Sequence, residues 1–384
     1  MASPPSADAR VAIIGGGVVG AAVAYTLARR GVGALLLEAE KTLALAASGT
    51  NSGILHTGFD SAPGQLETKL ILRSAELRPD VLEQLGIPVL HPGAVLNPAG
   101  SDDPETVAAL AAGAAENGVE VQLRDDGTLE VPGESVTNPV AYTLALAGAA
   151  VGGGASLRTE ARVASIAERE PGLALTLAGG EQVEADIAVN CAGLRADEVA
   201  RMAGDDSFEI YPRKGEFFVF APPGGQPLER IHLPVPTKRT KGVLVFPTID
   251  GMVIAGPTAH DQEDKDDWSV RPEAEEEVLP KARTIVPALE GAEPIASYAG
   301  LRPAGRGVNY VIGPSKTCPR LINVAAIRST GLSASLGIAE HVTDLLAGQG
   351  LPLEGDRPLA PAPLADLKGS EHWWTRTAEE KAPR

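Results

Sequence analysis

The sequence predicts a mixed α/β and α+β protein, a Rossmann-like domain with a discontinuous, strand-rich second domain set into it. Three observations carry that prediction. Residues 11–38 read as strand, glycine turn, helix and strand; residues 208–260 are rich in strand runs; and residues 295–347 return to strands followed by a long apolar helix. A chain of 384 residues is also longer than one small core requires, which favours two lobes.

In the opening unit, the buried β run Val11–Ile14 leads into Ala-rich helical spacing and then into the second strand run ALLLE. A polar, Gly-rich loop follows from Ala46 to Gly64, and then a helical stretch from Lys69 to Leu85. Helices are expected over 104–118 and 139–150, the latter with Pro139 in its first turn. Strands are expected through 163–192, and FEIYPRKGEFFVF, GVLVFPT and MVIAGPT supply the sheet of the second domain. The acidic stretch Asp261–Asp267 reads as a solvated loop before a partly exposed helix. The resulting division assigns 10–80, 139–205 and 295–350 to the first domain and 81–138 with 206–294 to the second. Residues 351–384 form a Pro-rich tail that Trp373 and Trp374 are expected to dock; no internal repeat is visible.

Composition narrows the partners. A net charge of −17 argues against nucleic acid, whose phosphates need a basic face. Two cysteines, Cys191 and Cys318, are too few for a disulfide framework or an all-cysteine iron–sulfur cluster. That fits a reducing, cytoplasmic location, with peripheral contact at a membrane left open. Met1–Arg10 lacks the apolar core of a secretory signal, and no stretch approaches the ~20 apolar residues of a membrane span. No metal is expected, because the six histidines are scattered and no Cys-x-x-Cys occurs.

Gly15, Gly17 and Gly20 form G-x-G-x-x-G between the first strand and helix, with Val18 and Val19 inside the motif. Glycines permit the tight turn and let backbone amides approach a pyrophosphate, while the helix N-terminus adds positive character. Glu38, closing the second strand, can accept hydrogen bonds from ribose hydroxyls. The motif alone does not separate FAD from NAD, since both present ADP to the same unit.

The block ASGTNSGILHTGFDSAPGQLETKL at 47–70 comes next, followed by NCAGLRAD at 190–197 and PRKGEFFVF at 212–220. The long block 233–267, YAGLRP at 298–303 and INVAAIRSTGLSASLGIAEHV at 322–342 complete the series. In this order they resemble the D-amino-acid-oxidase-like superfamily of FAD enzymes. Within it they resemble the branch of anaerobic-type glycerol-3-phosphate dehydrogenases and L-2-hydroxyglutarate oxidases, across most of 11–345.

The resemblance implies that FAD is the cofactor and that the Rossmann-like domain binds it. Ser48, Thr50, Asn51 and Ser52 would then line the path from pyrophosphate to flavin, Val163 would meet adenine through its backbone, and Ala192 and Gly193 would pack beside the pyrophosphate turn. The turn Ser329, Thr330, Gly331, Leu332 and Ser333 would stabilise charge on the reduced flavin's pyrimidine edge, with Ser333 a candidate helix N-cap. Branch members of the glycerol-phosphate type commonly carry a cysteine-rich extension whose ligands are missing here. Electrons are therefore expected to pass to oxygen, a diffusible acceptor such as a quinone, or a partner protein.

Alcohol oxidation needs a base for the hydroxyl proton, and His56, inside the flavin-facing block, is the candidate; His232 and His260 lie outside it. An anionic substrate needs fixed cations. Arg302 in GLRP is the principal candidate for anion and cofactor contact, with Lys69, Lys214, Lys241 and Arg328 completing an electropositive pocket. Cys191 reads as a small core residue. The expected reaction is oxidation of a small anionic secondary alcohol, glycerol 3-phosphate to dihydroxyacetone phosphate. The alternatives are L-2-hydroxyglutarate oxidation, amine or amino-acid oxidation, a nicotinamide-dependent dehydrogenase and a non-catalytic flavin-binding protein.

Overall fold

The run Val11–Ile14 is buried along its whole length, as a central strand of a parallel sheet has to be. In a computed structural model describing residues 8–98, 104–236, 242–364 and 372–381, the strand Asp8–Ile14 pairs in parallel with Ala34–Leu37 on one side and Gln182–Asn190 on the other. Ser156–Arg158 extends the sheet beyond Ala34–Leu37, and Leu321–Ala325 extends it beyond Gln182–Asn190, both in parallel. A hairpin of Val163–Arg169 and Gly172–Leu177 adds antiparallel strands to Gln182–Asn190, and Val311–Pro314 adds one to Leu321–Ala325.

The helices are α1 (Val18–Arg29), α2 (Leu66–Leu85), α3 (Pro104–Glu116), α4 (Pro139–Gly152), α5 (Ala196–Met202), α6 (Glu273–Ile285), α7 (Gly331–Gly348) and α8 (Trp373–Lys381). Asn138 caps α4, its Oδ1 accepting from the N–H groups of Val140 and Ala141 at 3.0 Å, and Pro139 occupies the first turn where no N–H is needed. Helix α1 packs against α4 and α7, and α7 against α2. The last crossing is close: a Cβ on Gly337 would stand 2.2 Å from the Leu70 carbonyl oxygen.

A nine-stranded sheet forms the second layer, built round the long strand Ile210–Phe220. Apart from the parallel pairing of Ile231–Leu233 with Ala94–Leu96, its ladders are antiparallel. The strand Ala296–Gly305 departs from the expected division. The sequence division places it with the first domain, yet it pairs with Ile210–Phe220 over ten register positions from Ile210↔Gly305 to Val219↔Ala296, and so belongs to the second sheet. Pattern alone could not assign it, because a strand's own sequence does not name its neighbour.

The tail folds back on the first layer. The N–H groups of Glu354 and Arg357 donate to the carbonyls of Arg30 and Arg29, and Ala362 lies so near α4 that a Cβ on Gly148 would meet its oxygen at 1.9 Å. Trp373 is fully buried, and its Nε1 donates to the Asn51 carbonyl at 3.1 Å. Among the described residues no helix is long and apolar enough to cross a membrane.

Gly337→Ala is expected to lower stability by about 2 kcal/mol, because backbone on α2 cannot yield to a methyl group. Gly348, whose Cβ would meet nothing within 4 Å, provides the control, and Gly348→Ala should be neutral or stabilising. Urea unfolding of both variants reads the difference; equal midpoints would contradict the close helix crossing.

Candidate functional site

The glycine turn is fixed by backbone contact. Gly15 has φ +110 and donates its N–H to the Leu37 carbonyl at 2.8 Å; a Cβ there would stand 2.4 Å from the Cys191 carbonyl oxygen. A Cβ on Gly20 would meet the Gly15 carbonyl oxygen at 2.0 Å, so α1 sits directly on the turn. Around Gly17, the helix N-cap, the tightest neighbour is the Ser48 hydroxyl at 3.1 Å. The Glu38 carboxylate accepts from the Gly16 N–H at 2.7 Å and from the Glu40 N–H at 2.8 Å. Burial pushes the Glu38 carboxyl above the usual carboxylate range, and those two N–H groups pull it back only in part.

A cavity of about 420 Å³ opens on this turn. Gly15, Gly17, Val18, Val19, Glu38, Ser48, Asn51, Val163, Ala192, Gly193, Gly331 and Leu332 all line it. A second cavity of about 450 Å³ adjoins it, lined by Thr50, Asn51, Ser52, His56, Arg302, Arg328, Ser329 and Thr330. Ala47, Asn51 and Arg328 line both, so the two cavities meet at these residues. Gly20 lines neither; its contribution is the close seat of α1.

Loop 46–52 is held by its own polar atoms. Ser48 Oγ accepts from the Val18 N–H at 2.9 Å, supplying from a distant loop the cap that Gly17 lacks. Asn51 Oδ1 accepts from the Gly53 N–H at 2.9 Å, Ser52 Oγ accepts from the Ile54 N–H at 3.3 Å, and Thr50 Oγ1 donates to the Ala46 carbonyl at 3.3 Å. These residues therefore shape the turn as well as lining the space.

His56 is braced more heavily than its sequence context indicates. Its Nδ1 lies 2.8 Å from Glu134 Oε2, and Glu134 Oε1 accepts from the Thr57 N–H at 2.7 Å and the Thr57 hydroxyl at 2.8 Å. The Glu134 side chain has no exposed surface. Arg78, buried in α2, donates to the His56 carbonyl at 2.9 Å and to the Ser333 carbonyl at 3.1 Å. Burial holds the Arg78 guanidinium below its ordinary pKa, opposed by Tyr142 and Glu134. Neither Glu134 nor Arg78 was marked in the sequence, for each comes from a segment with no motif of its own. Ser333 differs from expectation: Thr330 is the N-cap of α7, and Ser333 lies inside the helix, its Oγ accepting from the His56 N–H at 2.9 Å.

Arg302 projects from the second sheet. Its Nη1 donates to the carbonyls of Arg213 at 3.3 Å and Lys214 at 3.4 Å, and its Nη2 to the Thr258 carbonyl at 3.2 Å. Burial, with the nearby Arg213 cation, lowers its pKa to about 10. A guanidinium held by neutral carbonyl oxygens keeps its charge to offer to an anion. The glycine in PRKGEFF leaves the guanidinium its place, since a Cβ on Gly215 would stand 2.2 Å from Arg302 Nη2 and push it aside. Arg328, 42% exposed, donates to Asn309 Oδ1 at 3.0 Å and lies 3.8 Å from Glu67. Glu67 also accepts from the Thr330 hydroxyl at 2.7 Å, which ties the 328–331 turn to α2.

Two of the expected cations stand apart from this group. Lys214 is buried and turned to Asp267, with Nζ–Oδ2 at 2.7 Å, because alternation along its strand carries it away from the cavity side. Lys69 is exposed on α2 and lines neither cavity. Lys241 lies outside the described residues. The acidic stretch is open to water as expected, and Asp261, Glu263, Asp266 and Asp267 in it also each pair with a cation. Cys191 is a buried core residue whose thiol burial pushes well up, and His232 and His260 line neither cavity. Among the described residues no group of His, Cys, Asp and Glu is arranged to hold a metal.

Comparison with known proteins agrees with this geometry. The DAO family profile, described as FAD dependent oxidoreductase, matches residues 10–345. The glycerol 3-phosphate dehydrogenase of Caloramator mitchellensis is 29% identical over 352 residues, covering 88% of this chain and 73% of that protein. The L-2-hydroxyglutarate dehydrogenase of Escherichia coli K12 is 30% identical over 265 residues, covering 64% of this chain and 63% of that protein. Among solved structures, the L-alpha-glycerophosphate oxidase of Mycoplasma pneumoniae with FAD bound superposes with a TM-score of 0.82 at 26% identity, covering 93% of this chain and 97% of that one. The residues present fit such a group: a glycine cradle that side chains would fill, an acid at the strand end, and two adjoining cavities that follow loop 46–52 to the 328–332 turn. With its nucleotide turn, its closing turn and the family match spanning both, the chain belongs to the DAO family of FAD-dependent oxidoreductases and takes FAD as its cofactor.

Proposed function

We propose that the protein oxidises a small anionic secondary alcohol, with glycerol 3-phosphate, converted to dihydroxyacetone phosphate, as the first candidate substrate. The observation that carries this reading is one cavity holding both His56, braced by a buried carboxylate, and Arg302, a part-buried cation with no carboxylate ion pair among the described residues. The similarity to glycerol 3-phosphate dehydrogenase and oxidase supports it. L-2-hydroxyglutarate is the second candidate: Arg213 and Arg328 line the same cavity as Arg302 and offer cations for a second carboxylate.

Bound FAD would supply the acceptor for the hydride of the carbinol carbon, which carries the two electrons of the oxidation. In this reading Arg302 grips the phosphate or carboxylate and fixes the carbinol relative to loop 46–52. His56, with Nδ1 engaged by Glu134, takes the hydroxyl proton at Nε2. Glu134 fixes the tautomer and stabilises the imidazolium that forms. Phe59, Phe217, Phe246 and Leu301 wall the cavity and keep water from competing for the same groups. Glu67, through Thr330, holds the turn proposed to face the flavin's pyrimidine edge.

Mixing the FAD-loaded protein with substrates without oxygen tests the reading. Glycerol 3-phosphate, or failing that L-2-hydroxyglutarate, should bleach the flavin. Reduction by glycine or proline, with none by either alcohol, would overturn it. Arg302→Lys should weaken substrate binding by about 100-fold, since a point charge replaces the two-pronged donor, while FAD stays bound; unchanged substrate affinity contradicts the role given to Arg302. Glu134→Gln leaves one oxygen for three donors and should slow flavin reduction at saturating substrate by about 100-fold with little change in substrate affinity. A loss confined to affinity would assign Glu134 to binding instead.

A further inference from the structure

We infer that the segment Asp261–Ser269, which leaves the second sheet, is the outer wall of the FAD cavity and has to be released before the cofactor can leave. Lys265, Asp266 and Trp268 line that cavity together with Arg195 and Glu198 of the first layer. The two groups are joined by ions of alternating sign. Arg201 reaches Asp197 at 3.0 Å, Asp197 reaches Lys265 at 2.7 Å, Lys265 reaches Glu198 at 3.2 Å, Glu198 reaches Arg195 at 3.0 Å, and Arg195 reaches Asp266 at 2.6 Å. Lys265 and Asp266 come from the segment; the other four lie within residues 195–201, beside Ala192 and Gly193 of the cavity wall.

The opposite side of the segment is anchored to its own sheet. Buried Lys214 holds Asp267 at 2.7 Å and the Ser269 carbonyl at 3.0 Å, and Arg213 holds Asp261 at 2.6 Å. Consecutive side chains thus take opposite duties, Asp266 toward the first layer and Asp267 toward the second, with Trp268 set against the cavity. The segment is firm where it leaves the sheet and depends on ion pairs where it meets the first layer. Those pairs are partly open to water, with Asp266 72% and Arg195 34% exposed, so salt can loosen them.

The sign of the salt effect separates this wall from simple charge repulsion. The protein carries a net charge of −17 and FAD is anionic, so screening alone would slow FAD release. An ion-paired wall predicts the reverse. The FAD-loaded protein is diluted and release is followed by flavin fluorescence at about 0.05 M and about 0.5 M NaCl, a change that shortens the screening length several-fold. Release should quicken about fivefold with salt, and the double variant Lys265→Ala, Asp266→Ala should release FAD about tenfold faster at low salt with no further quickening. The exchanged pair Arg195→Asp, Asp266→Arg should return release toward the wild-type rate, which guards against misfolding of the alanine variant. Wild-type release that slows with salt, or a double variant as slow as wild type, would overturn the proposal. The readout needs no substrate, so its failure is separate from failure of the proposed reaction.

Discussion

The contact of Gly15 with the chain around it is the constraint on which the site depends. Its φ of +110 and the Cys191 carbonyl leave no room for a side chain, and the Gly15 carbonyl is in turn the seat of Gly20. One residue therefore fixes the approach of two parallel strands and the start of α1. Glu38, tied to the Gly16 N–H, and Ser48, tied to the Val18 N–H, take their positions from that crossing. A larger residue would displace the cradle and the two polar groups that frame it together.

The second sheet completes the site from the other side, and glycines again set the distance. A Cβ on Gly300 would stand 2.9 Å from the Thr50 carbonyl oxygen, so the strand bearing Arg302 lies against loop 46–52. Trp373 donates to the Asn51 carbonyl in that same loop. The loop is thus shared among the first layer, the second sheet and α8, which explains how short polar side chains can be held still beside a large open space. Buried charge is arranged with the same economy. Glu134 is matched by the Thr57 donors and His56, whereas among the described residues Arg302 donates to carbonyl oxygens alone, which leaves its charge to offer to the anion proposed above.

Much of this was legible in the sequence because it rests on local patterns. The strand–glycine–helix unit, Glu38 and the 47–56 block are contiguous, and their periodicity and turn chemistry reveal them. Arg302 was legible through the GLRP block, although its sheet was not, since pairing partners are set by tertiary register. Glu134 and Arg78 escaped because each reaches His56 from a distant segment with no pattern of its own. Lys214 misled because a lysine next to an expected site looks like a ligand until strand alternation turns it to Asp267. The acidic stretch is solvated as its composition indicates, but its partners Arg195, Arg213, Lys214 and Arg306 come from elsewhere in the chain and no local pattern names them.

In the proposed reaction the space between the two sheets presents a carbinol carbon to the flavin while Arg302 holds the anion beside it. Its most direct test is the isotope effect on anaerobic flavin reduction by glycerol 3-phosphate deuterated at C2, compared with the same compound deuterated at C1. The account predicts slowing of several-fold for deuterium at C2 and none at C1. Equal rates for the two compounds, where the reduction step itself is being observed, would contradict it.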